Sequence, residues 1–146
     1  MKVSPDLSTS ELSQHSAQRY SLPQGLVGLP QHQSFEIVQV PDQEPFLWMK
    51  LNGPDPLNFL VLEPTGLIQD YELELFDEDA EFLEIQNSSD ASVLNIVTLR
   101  NNNPGEATVN LAGPIIINCR TGVAKQCILA NYFKYSAYHR LVGETS

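Results

Sequence analysis

The apolar residues of this chain come in short runs cut by proline and glycine. From Tyr20 they read Leu22-Pro23-Gln24-Gly25-Leu26-Val27-Gly28-Leu29-Pro30, then Phe35 to Val40, Phe46 to Leu51 and Phe59 to Leu62. Each run is too short for a helix. Each is rich in β-branched or aromatic residues, which suits strands of about 5 to 6 residues on a pleated surface. Their regular spacing predicts an all-β or mainly β fold, a small antiparallel, partly open, barrel-like sheet. Ser92 to Arg100 (Val93, Leu94, Ile96, Val97, Leu99) reads as a strand covered on both sides, and Asn101 to Gly105 as the turn that sends the chain back.

Asp70 to Phe76 is the clearest amphipathic strand, because Tyr71, Leu73 and Leu75 alternate with Asp70, Glu72 and Glu74. One short helix follows. Asp77 is its expected N-cap, Glu78 and Asp79 complement the dipole in its first turn, and Ala80, Leu83 and Phe82 face inward. The last third predicts a hairpin: Ala107 to Leu111, a break at Gly113-Pro114, strand Ile115 to Asn118, a turn at Arg120 to Val123, and a return to Leu129. That turn sets Cys119 opposite Ala124 and Cys127 opposite Ile116, so the two cysteines are expected as separate reduced thiols. Tyr132, Phe133, Tyr135 and Tyr138 form an aromatic tail expected to pack on the core, the alternative being an exposed interface edge.

At 146 residues the chain predicts one domain. Residues 1–19, rich in Ser and Gln and without apolar period, read as a flexible arm or one weak edge strand; 20–142 read as the β domain and 143–146 as a tail. No apolar run approaches a membrane span of about 18 residues, and Met1 to Arg19 lacks the charged start and apolar stretch of a signal peptide. A cytoplasmic location is expected.

The net charge of −10 is unevenly placed. Residues 1–50 carry three basic and five acidic groups, residues 51–99 eleven acids and no Lys or Arg, and residues 100–146 five basic and two acidic groups. An acidic face repels phosphate, which argues against nucleic-acid or anionic-membrane binding and predicts a basic protein partner.

No constellation for catalysis or metal binding is found. His15, His32 and His139 have no ligand spacing, and Cys119 and Cys127 are not a Cys-x-x-Cys pair. Asp77, Asp79 and Glu81 mimic the start of a calcium loop, but its sixth position is Phe82 and its twelfth Ser88, where Gly and Glu are required. Gly25 and Gly28 lack the third glycine of a dinucleotide loop and read as turn glycines. No cofactor, metal or enzymatic activity is expected.

The C-terminal third carries a resemblance when taken whole: Asn110-Leu111-Ala112-Gly113-Pro114-Ile115, Asn118 before the turn, Lys125-Gln126 on the return, then Tyr135-Ser136. Upstream, Leu22 to Leu29, Pro45-Phe46-Leu47-Trp48-Met49 and Asp70-Tyr71-Glu72 fit as well. From about Tyr20 to Leu141 the chain resembles the FliW family of flagellar assembly factors. It departs where Leu22 and Leu29 replace aromatics, where Gly113 replaces Ala and Ala124 replaces Gly, and where Thr65 to Gln69 lacks an aromatic-Pro run.

The resemblance implies partner switching in the cytoplasm: binding of newly made flagellin and, once flagellin is exported, of CsrA, an RNA-binding repressor of translation. For the basic partner the expected contacts are Asp70, Glu72, Glu74, Asp77, Glu78 and Asp79. For flagellin they are Phe46, Trp48, Leu67 and Ile68, since apolar anchors dominate interfaces. Two other readings make separate predictions. An acidic adaptor or nucleic-acid mimic without a flagellar role binds many basic proteins alike. A carboxylate-dependent hydrolase needs two acids roughly 5 to 9.5 Å apart across a pocket.

Overall fold

The computed structural model describes residues 2–3, 18–39, 42, 45–99, 101 and 106–141. Eleven strands are found among them: β1 (Lys2–Val3), β2 (Gln18–Ser21), β3 (Ser34–Gln39), β4 (Phe46–Asn52), β5 (Leu57–Leu62), β6 (Leu73–Glu74), β7 (Ala91–Leu99), β8 (Ala107–Val109), β9 (Ile115–Asn118), β10 (Ala124–Gln126) and β11 (His139–Arg140). The helix α1 spans Asp77–Phe82.

The main sheet is antiparallel throughout, in the order β10-β9-β7-β5-β4-β3-β2, with β8 on β7 and β11 on β8. It curls until its two ends meet at one point, where Ser21 and Val123 form a parallel bridge and the Ser21 amide donates to the Gly122 carbonyl at 2.8 Å. The long strand β7 is the pivot. Its first half, Ala91 to Leu94, pairs with β9, and its second half pairs with β5 and β8.

Period-two alternation divides the core. Phe35, Ile37, Met49, Leu51, Val61, Leu94, Ile115 and Ile117 point into the curl. Leu60, Leu62, Val93, Val97 and Ile116 point outward from the same strands and are roofed by Tyr71, Leu73, Leu75, Leu83 and Ile85. The segment carrying the acids is thus a cover laid over the outside of the sheet. Each large apolar side chain buried in this way contributes about 1.5–3 kcal/mol, enough to hold a cover with little strand pairing of its own.

Several local expectations are corrected. Only Leu73–Glu74 of the Asp70 to Phe76 segment forms a strand, although the alternation of buried and outward residues persists along it. Its partner is β1, in the register Lys2↔Glu74 and Val3↔Leu73, so part of the N-terminal arm is an edge strand. The arm boundary at 19/20 falls inside β2; residues 4–17 and 142–146 lie outside the described residues. The helix N-cap is Phe76, without a side-chain cap bond, and Phe82 is exposed.

The hairpin turn lies one residue earlier than expected, which shifts the register by two, so that Ala124 pairs with Ile117 rather than Cys119 and Ile116 with Lys125 rather than Cys127. The cause is Asn118, whose Oδ1 accepts the Arg120 and Thr121 amides at 2.8 and 3.2 Å while the Gly122 amide returns to its carbonyl at 2.8 Å. Both cysteines are free, as expected. Of the aromatic tail only Tyr135 packs inward, edge-on to Tyr71 with centroids 5.0 Å apart; Tyr132, Phe133 and Tyr138 are exposed.

Candidate protein-binding surface

The acidic segment is held by side chains from the C-terminal region. The Ala130 amide donates to the Glu74 carbonyl at 2.7 Å. The Asn131 amide group accepts from the Glu74 N–H at 3.2 Å and donates to the Glu72 carbonyl at 2.9 Å. The Tyr135 hydroxyl accepts from the Glu72 N–H at 2.8 Å and donates to the Asp70 carbonyl at 3.2 Å. Beneath them the Tyr71 hydroxyl donates to the Leu111 carbonyl at 2.6 Å and accepts from Asn95 at 3.0 Å. Burial holds the Tyr71 phenol well above its usual range, against a smaller opposing effect of the Asn95 bond, so it stays a neutral donor.

These anchors use the backbone and leave the carboxylates outward. Asp70, Glu72, Asp77 and Glu78 are exposed, and Glu74 is half-buried opposite Lys2. Asp79 differs. Its Oδ1 lies 2.7 Å from Lys125 Nζ, with the two side chains only 13% and 20% exposed, so its charge is spent on tying α1 to β10. Asp90, on the same cover, accepts from the Gln86 and Asn87 amides and faces Arg120 at 3.7 Å, so it is structural.

Of the apolar candidates, Phe46, Trp48 and Ile68 are half-buried against the outer core, and only Leu67, on the turn closed by the Pro64 carbonyl, is exposed. Sequence reasoning missed Val27, Phe76 and Ile128, which are 70%, 45% and 48% exposed. The signal was present for two of them. Phe76 continues the outward phase of the Tyr71, Leu73, Leu75 alternation, and Ile128 lies between the buried Cys127 and Leu129.

Among the described residues no group of three or more His, Cys, Asp or Glu is placed to hold a metal ion, and no helix is long and apolar enough to cross a membrane. Fold and surface together define a small, mainly β protein whose one curled sheet carries an acidic cover.

Known proteins share this fold. A crystal structure of the flagellar assembly factor FliW superposes with a TM-score of 0.75 at 31% identity, covering 90% of this chain and 91% of that one. The flagellar assembly factor FliW of Thermosipho africanus is 30% identical over 141 residues, spanning 97% of this chain and 95% of the relative. That of Clostridium botulinum (strain Okra / Type B1) is 37% identical over 120 residues, 82% of each. The family model of the FliW protein matches residues 6–141. The chain belongs to the FliW family.

Proposed function

We propose that this chain is a flagellar assembly factor that binds flagellin in the cytoplasm and, when flagellin is scarce, binds and antagonises CsrA, matching flagellin translation to export. Its role is binding rather than catalysis. The observation that carries the reading, beside family membership, is the outward set Asp70, Glu72, Asp77 and Glu78 in a stretch of 49 residues without Lys or Arg. An RNA-binding repressor must present basic surface to phosphate, and that surface complements these carboxylates.

Exposed ion pairs contribute little singly, about 0.2–1 kcal/mol, so the face acts as a sum and through steering of the encounter. Changing Glu72, Asp77 and Glu78 together to Lys should weaken CsrA binding at least about tenfold at low salt, with a smaller loss at high salt where charges are screened. Isothermal titration against purified CsrA measures this. Unchanged affinity with an intact fold would sink the assignment, and equal binding to unrelated basic proteins would favour an acidic adaptor instead.

A further inference from the structure

The two edges of β6 are held very differently. On one, the N–H and C=O of Glu72 and of Glu74 all bond to Ala130, Asn131 and Tyr135. Along an extended chain successive residues turn these groups to opposite sides, so those of Leu73 face the other edge. Only β1 meets them there, in the register Lys2↔Glu74 and Val3↔Leu73.

β1 is separable from the rest of the fold. Among the described residues it pairs with no strand but β6, and the two form a sheet apart from the main one, with two residues from each. So short a ladder holds little by itself. β6 does not depend on it, because the C-terminal region fixes its backbone and Leu73 and Leu75 are buried beneath. If β1 lifts, an ordered strand edge is left with the Leu73 N–H and C=O unpaired, a template for another extended segment.

The residues of β1 show what that edge accepts. Cross-strand partners share a face of a sheet. The register sets a cation, Lys2, across from Glu74 and an aliphatic residue, Val3, across from the buried Leu73. Lys2 thus lies against a stretch, residues 51–99, that has no Lys or Arg of its own. Exposed Glu72, Asp77 and Glu78 carry the same charge beyond the reach of two residues.

We propose that this edge of β6 is a strand-docking site occupied in cis by β1, and that it receives an extended segment of a partner protein in which a Lys or Arg precedes an aliphatic residue. β1 is then an internal competitor, and apparent affinity falls with the fraction of chains whose edge is free. The site is defined by this chemistry and stands apart from the identity of the basic partner proposed above.

The test titrates a short capped peptide of alternating Lys and Val into the isotope-labelled full-length chain, followed by amide NMR, in wild type, Lys2→Glu, Val3→Pro and Lys134→Glu. Lys2→Glu sets like charges across the ladder, and Val3→Pro removes the N–H in register with Leu73. Both should bind the peptide at least about tenfold more tightly than wild type, with shifts centred on Leu73 and Glu74. Lys134→Glu makes the same charge change on the segment that holds the other edge and should bind as wild type. A peptide of alternating Lys and Gly, equal in charge, should bind every chain severalfold more weakly. Wild-type affinity in both β1 variants, shifts centred elsewhere, or an equal gain in Lys134→Glu overturns the site. Self-association of the β1 variants in place of peptide binding overturns it in favour of a second copy as occupant. Loss of the fold in both variants, read by circular dichroism, overturns it too, since a strand the fold requires cannot be displaced.

Discussion

Asn118 does more than end a strand. It is fully buried, and its Nδ2 donates to the Leu83 carbonyl at 2.7 Å and to the Glu84 carbonyl at 3.2 Å, while its Oδ1 caps the hairpin turn. One side chain thereby satisfies the end of α1 and sets the register of β9 and β10. Replacing it with Ala takes the Asn118 partner from the buried Leu83 carbonyl and from the part-buried Arg120 and Thr121 amides, while the Glu84 carbonyl keeps Arg120 at 2.9 Å; the loss costs about 2–4 kcal/mol. The melting temperature should fall by roughly 6–12 °C for a chain of this size, measurable by calorimetry. Sequence alone identified Asn118 as a residue before a turn, but where the turn begins depends on which amides its carboxamide captures. That is a three-dimensional fact, and it is why the expected hairpin was two residues out.

Among the elements, α1 ends in a geometry that its sequence does not advertise. The Ile85 amide donates to the Ala80 carbonyl at 3.0 Å and the Glu84 amide to the Glu81 carbonyl at 3.1 Å, with Glu84 at φ +56°. This is a left-handed helix cap of the kind glycine usually occupies. Glu84→Gly should therefore stabilise the protein by about 0.5–1 kcal/mol, the relief of a left-handed side chain outweighing the greater freedom of glycine when unfolded. Urea denaturation measures the gain, and a loss of stability would show that the Glu84 side chain makes an offsetting contribution.

The strands were largely legible because period-two alternation is a local property: β3, β4, β5, β7 and β9 each fall within two residues of the expected runs. The acidic face was legible for the same reason, since Tyr71, Leu73 and Leu75 could only be buried together. The pairing of Asp79 with Lys125 and the outward turn of Tyr132 and Phe133 were not. Both depend on how distant segments dock, and irregular loops carry no period from which to infer it.

At the scale of the whole molecule, the cover and the curled sheet meet across a core that contains two ionisable groups kept neutral. Burial, reinforced by Asp79 and opposed by Lys125, pushes the Cys127 thiol up from 9.0 to about 12, and burial holds the Tyr71 phenol above its ordinary 10.0. Below about pH 8 both groups are protonated whether folded or not, and neither makes stability depend on pH. Above it the unfolded chain loses these protons first and so binds fewer than the folded one, and stability must fall as pH rises toward 12. Urea midpoints should drop progressively between about pH 9 and 11, and Cys127→Ala should show a shallower decline than wild type. An unchanged slope in that variant would remove Cys127 from the account.

The closure of the sheet by one bridge among the described residues, at Ser21 and Val123, bears on how the molecule fails. A barrel with a full ladder has no free rim, whereas this one is fastened at a point, and parting it would expose the backbones of β2 and β10 at once. Each rim could then accept a strand from another copy, joining chains head to tail without a natural end. The same fastening point that completes the curl in one molecule is thus the gate to association among many.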